Sequence, residues 1–301
     1  MSMSAFPRRS AILAKAARRR KPADCRDDGY AIIDALPGAD AMTDQIKFDL
    51  SDKTALVTGA SSGLGNRFAR VLAAHGATVV LASRRVERLK ELRAEIEADG
   101  GKAHVIGMDV NDAQAITDGV ARAEAESGPI DILINNSGVS TTQRLVDVTA
   151  EDFDFVFDTN TRGAFFVAQA VARRMIDRAR TEPDRSARII NIASMAGLKV
   201  LAQIGIYSMS KAAVIQMTRA MALEWARYNI NVNAICPGYI STELNEHHWE
   251  TEAGRKLVSM LPRKRLGTPE DLDGLLLLLS SDQARFINGA VISADDGFGV
   301  T

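Results

Sequence analysis

The chain has 301 residues, 46% of them hydrophobic, and a formal net charge of -1, a composition that suits one large soluble domain or two small ones. The near-neutral balance gives no electrostatic footprint for nucleic acid, and no apolar run approaches the roughly 18 residues that would cross a membrane. Cys25 and Cys236 lie far apart, and His75, His104, His247 and His248 show no metal-ligand spacing. The sequence therefore predicts no disulfide framework and no metal, and a reducing, cytoplasmic setting.

Residues 1–45 differ from the rest of the chain. Between Met1 and Lys21 there are seven basic residues and no acid, including the run Arg18-Arg19-Arg20-Lys21. A solvated, disordered extension is the favoured reading, with Met42 as a natural start. An organelle-targeting peptide, also rich in arginine and poor in acid, and a nucleic-acid or membrane patch are the alternatives.

From Phe48 onward strands and helices alternate. Thr54–Val57 reads as a short apolar strand running into Thr58-Gly59-Ala60-Ser61-Ser62-Gly63-Leu64-Gly65, followed by a helix over 66–75 that Gly76 ends. The pattern continues with a strand over 77–82, a charged helix over 86–99, a strand over 102–108 leading to Asp109-Val110, and a helix over 112–127. A strand over 130–134 then leads to Asn135-Asn136-Ser137-Gly138, and one long helix spans 152–178. After it come a strand over 188–193 that ends beside Ser194, a helix over 207–228, a strand over 231–236, a helix over 269–280 and a last strand over 290–293. Such alternation predicts an α/β fold: one doubly wound, Rossmann-type parallel sheet of about seven strands, with helices on both faces. Both faces being covered explains strands that are apolar throughout. Ligands bind such sheets at the carboxyl ends of the strands, where Gly59, Arg84, Asp109, Asn135, Ser194 and Pro237 all fall.

The glycine-rich run at the first strand suits a dinucleotide. Its glycines permit a tight turn and close approach of a pyrophosphate, and the helix beginning at Gly63 offers unpaired amides and a positive dipole end. The second strand ends Ser83-Arg84-Arg85 without an acid. Two guanidinium groups and a hydroxyl suit a 2′-phosphate, which predicts NADP(H) in preference to NAD(H), with NAD(H) still possible.

Tyr207 and Lys211 lie four residues apart on one helix, hence on one face. A cation beside a phenol lowers its pKa, making Tyr207 a usable proton donor and acceptor. Ser194 is placed to hydrogen-bond the same substrate oxygen. A Tyr-x-x-x-Lys match alone is weak, and the glycine motif upstream is what gives it weight.

With these motifs in order, the chain resembles the short-chain dehydrogenase/reductase family over roughly Phe48 to Thr301, with the 3-oxoacyl carrier-protein reductase branch among the candidates. The glycine motif is similar to Thr58 through Gly65, and the strand-four motif to Asn135-Asn136-Ser137-Gly138, with Ser137 where alanine is usual. The resemblance implies a catalytic set of Asn160, Ser194, Tyr207 and Lys211. Tyr207 would be the acid or base, Lys211 would bind the nicotinamide ribose, Ser194 would hold the carbonyl oxygen, and Asn160 would fix a relay water. It further implies cofactor contacts from Gly59, Ser61, Ser62, Gly63, Leu64, Gly65, Arg84 and Arg85, from Asp109 and Val110 at the adenine, and from Asn135, Pro237, Gly238, Ile240 and Thr242. A homotetramer, or a dimer, built partly from the helices over 152–178 and 207–228 is also implied. The expected activity is hydride transfer with a small carbonyl or alcohol substrate, and the alternative is a dinucleotide-binding sensor or scaffold without turnover.

Residues 243–265 read as a mobile lid holding Leu244, Trp249, Leu257, Met260 and Leu261. Met195, Leu198, Val200 and Gln203 would wall the site near Ser194, a mixture that suggests a moderately apolar substrate, and the family resemblance implies a 3-oxoacyl compound as one such substrate. Arg263-Lys264-Arg265 is a solvated basic run or, alternatively, a dock for an anionic carrier.

Overall fold

A computed structural model describes residues 47–243 and 245–301. The expectations for residues 1–45, for Cys25 and for Leu244 lie outside the described residues. The strands are β1 (Thr54–Thr58), β2 (Thr78–Ser83), β3 (Lys102–Gly107), β4 (Ile132–Asn135), β5 (Ala187–Ile192), β6 (Ile230–Pro237) and β7 (Val291–Ala294). They pair in parallel throughout, in the order β3-β2-β1-β4-β5-β6-β7.

Successive side chains on a strand point to opposite faces, so β1 feeds two cores. Ala55 and Val57 join Val79, Leu81, Ile134 and Ile190 on one face. There they meet Phe68 and Leu72 of α1 (Gly63–Ala74), Leu89 and Leu92 of α2 (Val86–Ala98), and Leu276 of a late helix, Asp273–Ser280. Leu56 points the other way and joins Val80, Leu133, Ile189 and Val232. That face is covered by α3 (Ala113–Ser127) and by the helices over 164–179 and 205–225.

The single long helix expected over 152–178 is corrected. The chain forms α4 (Ala150–Phe157), a π turn over Asp158–Gly163, and α5 (Ala164–Ala179). A reciprocal capping box between Thr149 and Asp152 starts α4 two residues early. The π turn sits where Gly163 approaches the end of β3: a Cβ there would come within 2.6 Å of the Val110 carbonyl oxygen. α6 (Gly205–Trp225) carries Tyr207 and Lys211, and a short 3₁₀ turn continues it to Tyr228. Beyond β6 lie α7 (Glu246–Trp249), α8 (Glu252–Met260) and α9 (Asp273–Ser280). Among the described residues, no helix is long and apolar enough to cross a membrane.

Candidate active site

The strand order reverses direction between β1 and β4, and at such a switch point the loops diverge and leave a crevice. Here the crevice encloses about 840 Å³. Its first half is built from the β1–α1 turn. Gly59 has a φ of +66°, and a Cβ at Gly65 would lie 2.4 Å from the Gly59 carbonyl oxygen, so the turn and the helix can meet only as glycines. Ser61, Ser62, Gly63 and Leu64 line the crevice. Ser62 caps α1 without a side-chain hydrogen bond, and the first turn holds no acid. The amides there are unspent, which fits the pyrophosphate of a dinucleotide.

Arg84 and Arg85 follow β2 and line the same half. Arg85 donates to Ser61 Oγ at 3.1 Å and Ser62 Oγ at 2.5 Å. Arg84 is exposed, with its guanidinium 3.9 Å from Asp109 Oδ2. Asp109 and Val110 also line this half.

The second half lies beyond β5 and β6. Ser194 caps a short turn by accepting from the Ala196 amide at 3.1 Å. Across from it are Tyr207 and Lys211. Lys211 is buried; its Nζ lies 5.7 Å from the Tyr207 ring centroid and donates to the Ile192 carbonyl at 2.8 Å. Burial pushes the Tyr207 phenol above its ordinary value, and a hydrogen bond with Ser194 offsets part of that rise. Burial pulls the Lys211 ammonium down to about 8. The shift of the phenol is opposite to the expected one, because burial desolvates it, and the Lys211 ammonium is turned toward a backbone carbonyl. Pro237, Gly238, Ile240 and Thr242 complete this wall.

Residues 53–253 match the family model described as short chain dehydrogenase. The chain belongs to that family. As a short-chain dehydrogenase it is an oxidoreductase that moves hydride between an NAD(P) cofactor and an alcohol or carbonyl group. It is 40% identical to a gluconate 5-dehydrogenase of Gluconobacter oxydans over 255 residues, 84% of this chain and 97% of that protein. It is 36% identical to a 3-oxoacyl acyl-carrier-protein reductase of Thermotoga maritima, over 82% of this chain and 98% of that one. A gluconate 5-dehydrogenase from Burkholderia cenocepacia, solved in complex with NADP and tartrate, superposes with a TM-score of 0.80 at 33% identity, covering 85% of this chain and 98% of its own.

Several residues that the family resemblance implied stand away from the crevice. Asn135, expected at the cofactor, is 4% exposed, and its amide donates to the Ala164 carbonyl at 2.7 Å and to Asn191 Oδ1 at 3.1 Å. Strand alternation turns Asn135 toward α5, and Asn136, Ser137 and Gly138 line the crevice in its place. Asn160 also lies behind the wall. Its Oδ1 accepts from the Val139 amide at 2.7 Å, and its Nδ2 donates to the Val139 carbonyl at 2.8 Å and Ser210 Oγ at 3.0 Å. The side chain is a brace, with little capacity left to hold a water.

Of the expected substrate wall, Met195 is buried, while Leu198 and Val200 face outward at 52% and 89% exposure. None of these three, nor Gln203, lines the crevice. Ser140, Tyr239, Asn245 and Trp249 line it instead. Trp249 is visible in the sequence as part of the expected lid; Tyr239 is hidden inside the Pro237-Gly238 turn, and nothing local marks Asn245. Arg263 and Arg265 both pair with Asp296, at 3.3 and 3.2 Å, and Arg265 also reaches Asp271 at 3.4 Å. Both arginines face neighbouring carboxylates, which weakens the alternative reading of this basic run as a dock for an anionic carrier.

Proposed function

We propose that the protein is an NADP(H)-preferring dehydrogenase that interconverts a secondary alcohol and a ketone on a compact, hydroxylated substrate. The observation that carries this reading is the convergence of Ser194, Tyr207 and Lys211 in the same crevice as the glycine turn and the two arginines. A bound nicotinamide dinucleotide supplies or accepts the hydride. The protein's residues do the rest.

In the reducing direction, negative charge grows on the carbonyl oxygen. Ser194 Oγ and Tyr207 Oη are the preplaced donors for it. A phenol that keeps its proton at neutral pH is ready to give that proton up to the nascent alkoxide. Lys211, still largely an ammonium at pH 7, opposes the phenolate left behind. Asn160 holds the Gly138–Val139 backbone in place beside Lys211: a Cβ at Gly138 would lie 3.4 Å from both Asn160 Oδ1 and Lys211 Nζ.

For the cofactor, Arg84 is the guanidinium best placed to meet a 2′-phosphate, with Arg85 stiffening the serine turn beneath it. The missing acid after β2 removes the usual repulsion of that phosphate. The NADP found in a structural relative supports the same preference. The sugar-acid relative and the carboxylate partners of Arg263 and Arg265 favour a hydroxylated substrate over a carrier-bound acyl chain. Phe153 on α4 and Phe165 on α5, with Leu223 on α6, are exposed, which suits the proposed homotetramer or dimer.

The test is a screen of sugar acids, polyols and simple ketones with NADP(H) and NAD(H). Wild-type protein is expected to turn over a member of the panel with NADP(H), and Tyr207→Phe to lose at least about 100-fold in kcat. Arg84→Ala should weaken NADP(H) much more than NAD(H). Turnover that survives Tyr207→Phe removes Tyr207 from the mechanism, and no turnover at all returns the sensor or scaffold reading.

A further inference from the structure

The substrate half of the crevice contains an aromatic corner that the proton and hydride chemistry does not use. Tyr239 lies just beyond β6, and Trp249 ends α7. Their rings meet edge to face, with centroids 5.6 Å apart at 82°, and both line the crevice. Each ring is supported from behind. Phe298 packs on Tyr239 at 5.5 Å, and Lys199 Nζ lies 4.5 Å over the Phe298 ring. The His248 ring lies 4.9 Å from the indole.

One side chain ties the corner to the backbone. Trp249 Nε1 donates to Asn245 Oδ1 at 2.9 Å, and the same oxygen accepts from the Thr242 amide at 2.8 Å. Asn245 Nδ2 donates to the Ile240 carbonyl at 2.9 Å. Ile240 and Thr242 themselves line the crevice. Asn245 thus links the angle of the indole to the segment that forms the crevice wall.

We propose that Trp249 and Tyr239 form the specificity-determining wall of the substrate site, and that Asn245 is the positioning residue that sets its angle. This rests on the dehydrogenase reading of the same crevice. The faces of aromatic rings carry partial negative charge, and carbons bearing hydroxyls present polarised C–H bonds. A polyhydroxylated chain or ring can therefore lay its C–H side on the corner and turn its hydroxyl edge to Ser140 and Ser194. Among the described lining residues the basic side chains are Arg84, Arg85 and Lys211, and the two arginines follow β2 in the other half. The corner selects by shape and C–H contact, not by charge.

The chain has two tryptophans, so in a Trp225→Phe background Trp249 is the sole indole. Titration of D-sorbitol and of D-gluconate into the NADP-saturated protein is expected to shift or quench Trp249 emission with at least one of the two. Trp249→Ala is expected to raise KM about tenfold, a loss equivalent to about 1.4 kcal/mol, with kcat and the NADP Kd nearly unchanged. Asn245→Ala should raise KM in the same way and red-shift the emission. Asn245→Asp, which keeps the acceptor for the indole N–H but loses the donor to the Ile240 carbonyl, should recover part of the emission shift and less of the KM. If Trp225→Phe does not fold, the difference between wild-type and Trp249→Phe emission isolates the same signal. Unchanged KM in Trp249→Ala and Asn245→Ala, with wild-type turnover intact, overturns the proposal and leaves the dehydrogenase reading standing. If no panel member is turned over, that reading fails by itself; the emission titration then decides the wall, and an unchanged signal overturns it.

Discussion

The Lys211 ammonium is 4% exposed and has one backbone carbonyl, that of Ile192, as its hydrogen-bonded partner among the described residues. A charge in that setting is held against its solvation, and its pKa falls from 10.5 to about 8. The consequence for stability has a definite sign. Below about pH 8 both the folded and unfolded chains carry the charge, and the folded chain bears the desolvation cost. Between pH 8 and 10.5 the unfolded chain binds the extra proton, so this group's contribution to stability rises with pH. The full cost corresponds to about 3 kcal/mol at neutral pH. Lys211→Met removes it and orphans the Ile192 carbonyl, at about 1–3 kcal/mol. The expected result is an inactive protein whose Tm, relative to wild type, is higher at about pH 6.5 than at about pH 9.5. A relative Tm that instead climbs with pH would mean the ammonium is a net stabiliser. The Tyr-x-x-x-Lys spacing discloses which two groups share a face. It carries no information on desolvation, which depends on what α6 packs against, and so spacing alone points the tyrosine shift the wrong way.

At the scale of the element, the break between α4 and α5 matters most. Apolar residues recur at helical spacing on both sides of it, as Phe153 and Val156, then Val167, Val171 and Met175. One inserted residue shifts the phase without erasing the period, so the sequence reads as one uninterrupted helix. The available cue is the polar run Asp158-Thr159-Asn160-Thr161-Arg162 closed by Gly163, set between two stretches of apolar periodicity. Asn160 is 1% exposed and satisfies both polar groups of Val139, so it fixes the loop after β4 to α6 through Ser210. Asn160→Ala leaves the Val139 amide and carbonyl without partners. The expected loss is about 2–4 kcal/mol of stability, together with a fall in kcat that exceeds any change in the NADP Kd. Calorimetry and steady-state kinetics check the two halves of that statement. A variant with wild-type Tm and kcat would reduce the π turn to an incidental feature of packing.

At the scale of the described molecule, a parallel sheet is polar end to end, and the two ends do different work. Strand–helix alternation makes the sheet and its carboxyl-edge crevice legible, because period and strand-end residues are local. Pairings between charges distant in sequence are not legible, and the amino edge is built from them. Asp131, just before β4, is 1% exposed. It accepts from the Thr54 amide at 3.0 Å, from Arg185 at 2.7 and 2.9 Å across 54 residues of sequence, and lies 3.1 Å from an Arg178 nitrogen. One carboxylate thus joins the starts of β1 and β4 to the segment leading into β5, at the edge opposite Ser194 and Tyr207. Asp131→Ala leaves two guanidinium groups facing each other without their anion. Breaking a buried pair from one side costs about 3–5 kcal/mol, so a large fall in Tm is expected. Because none of these groups touches the crevice, kcat/KM per folded molecule at about 25 °C is expected to stay within about twofold of wild type, less than about 0.5 kcal/mol in transition-state terms. A matched loss of activity in molecules that remain folded would show that the amino edge sets the geometry of the site, and the separation of stabilising and reacting ends would then be abandoned.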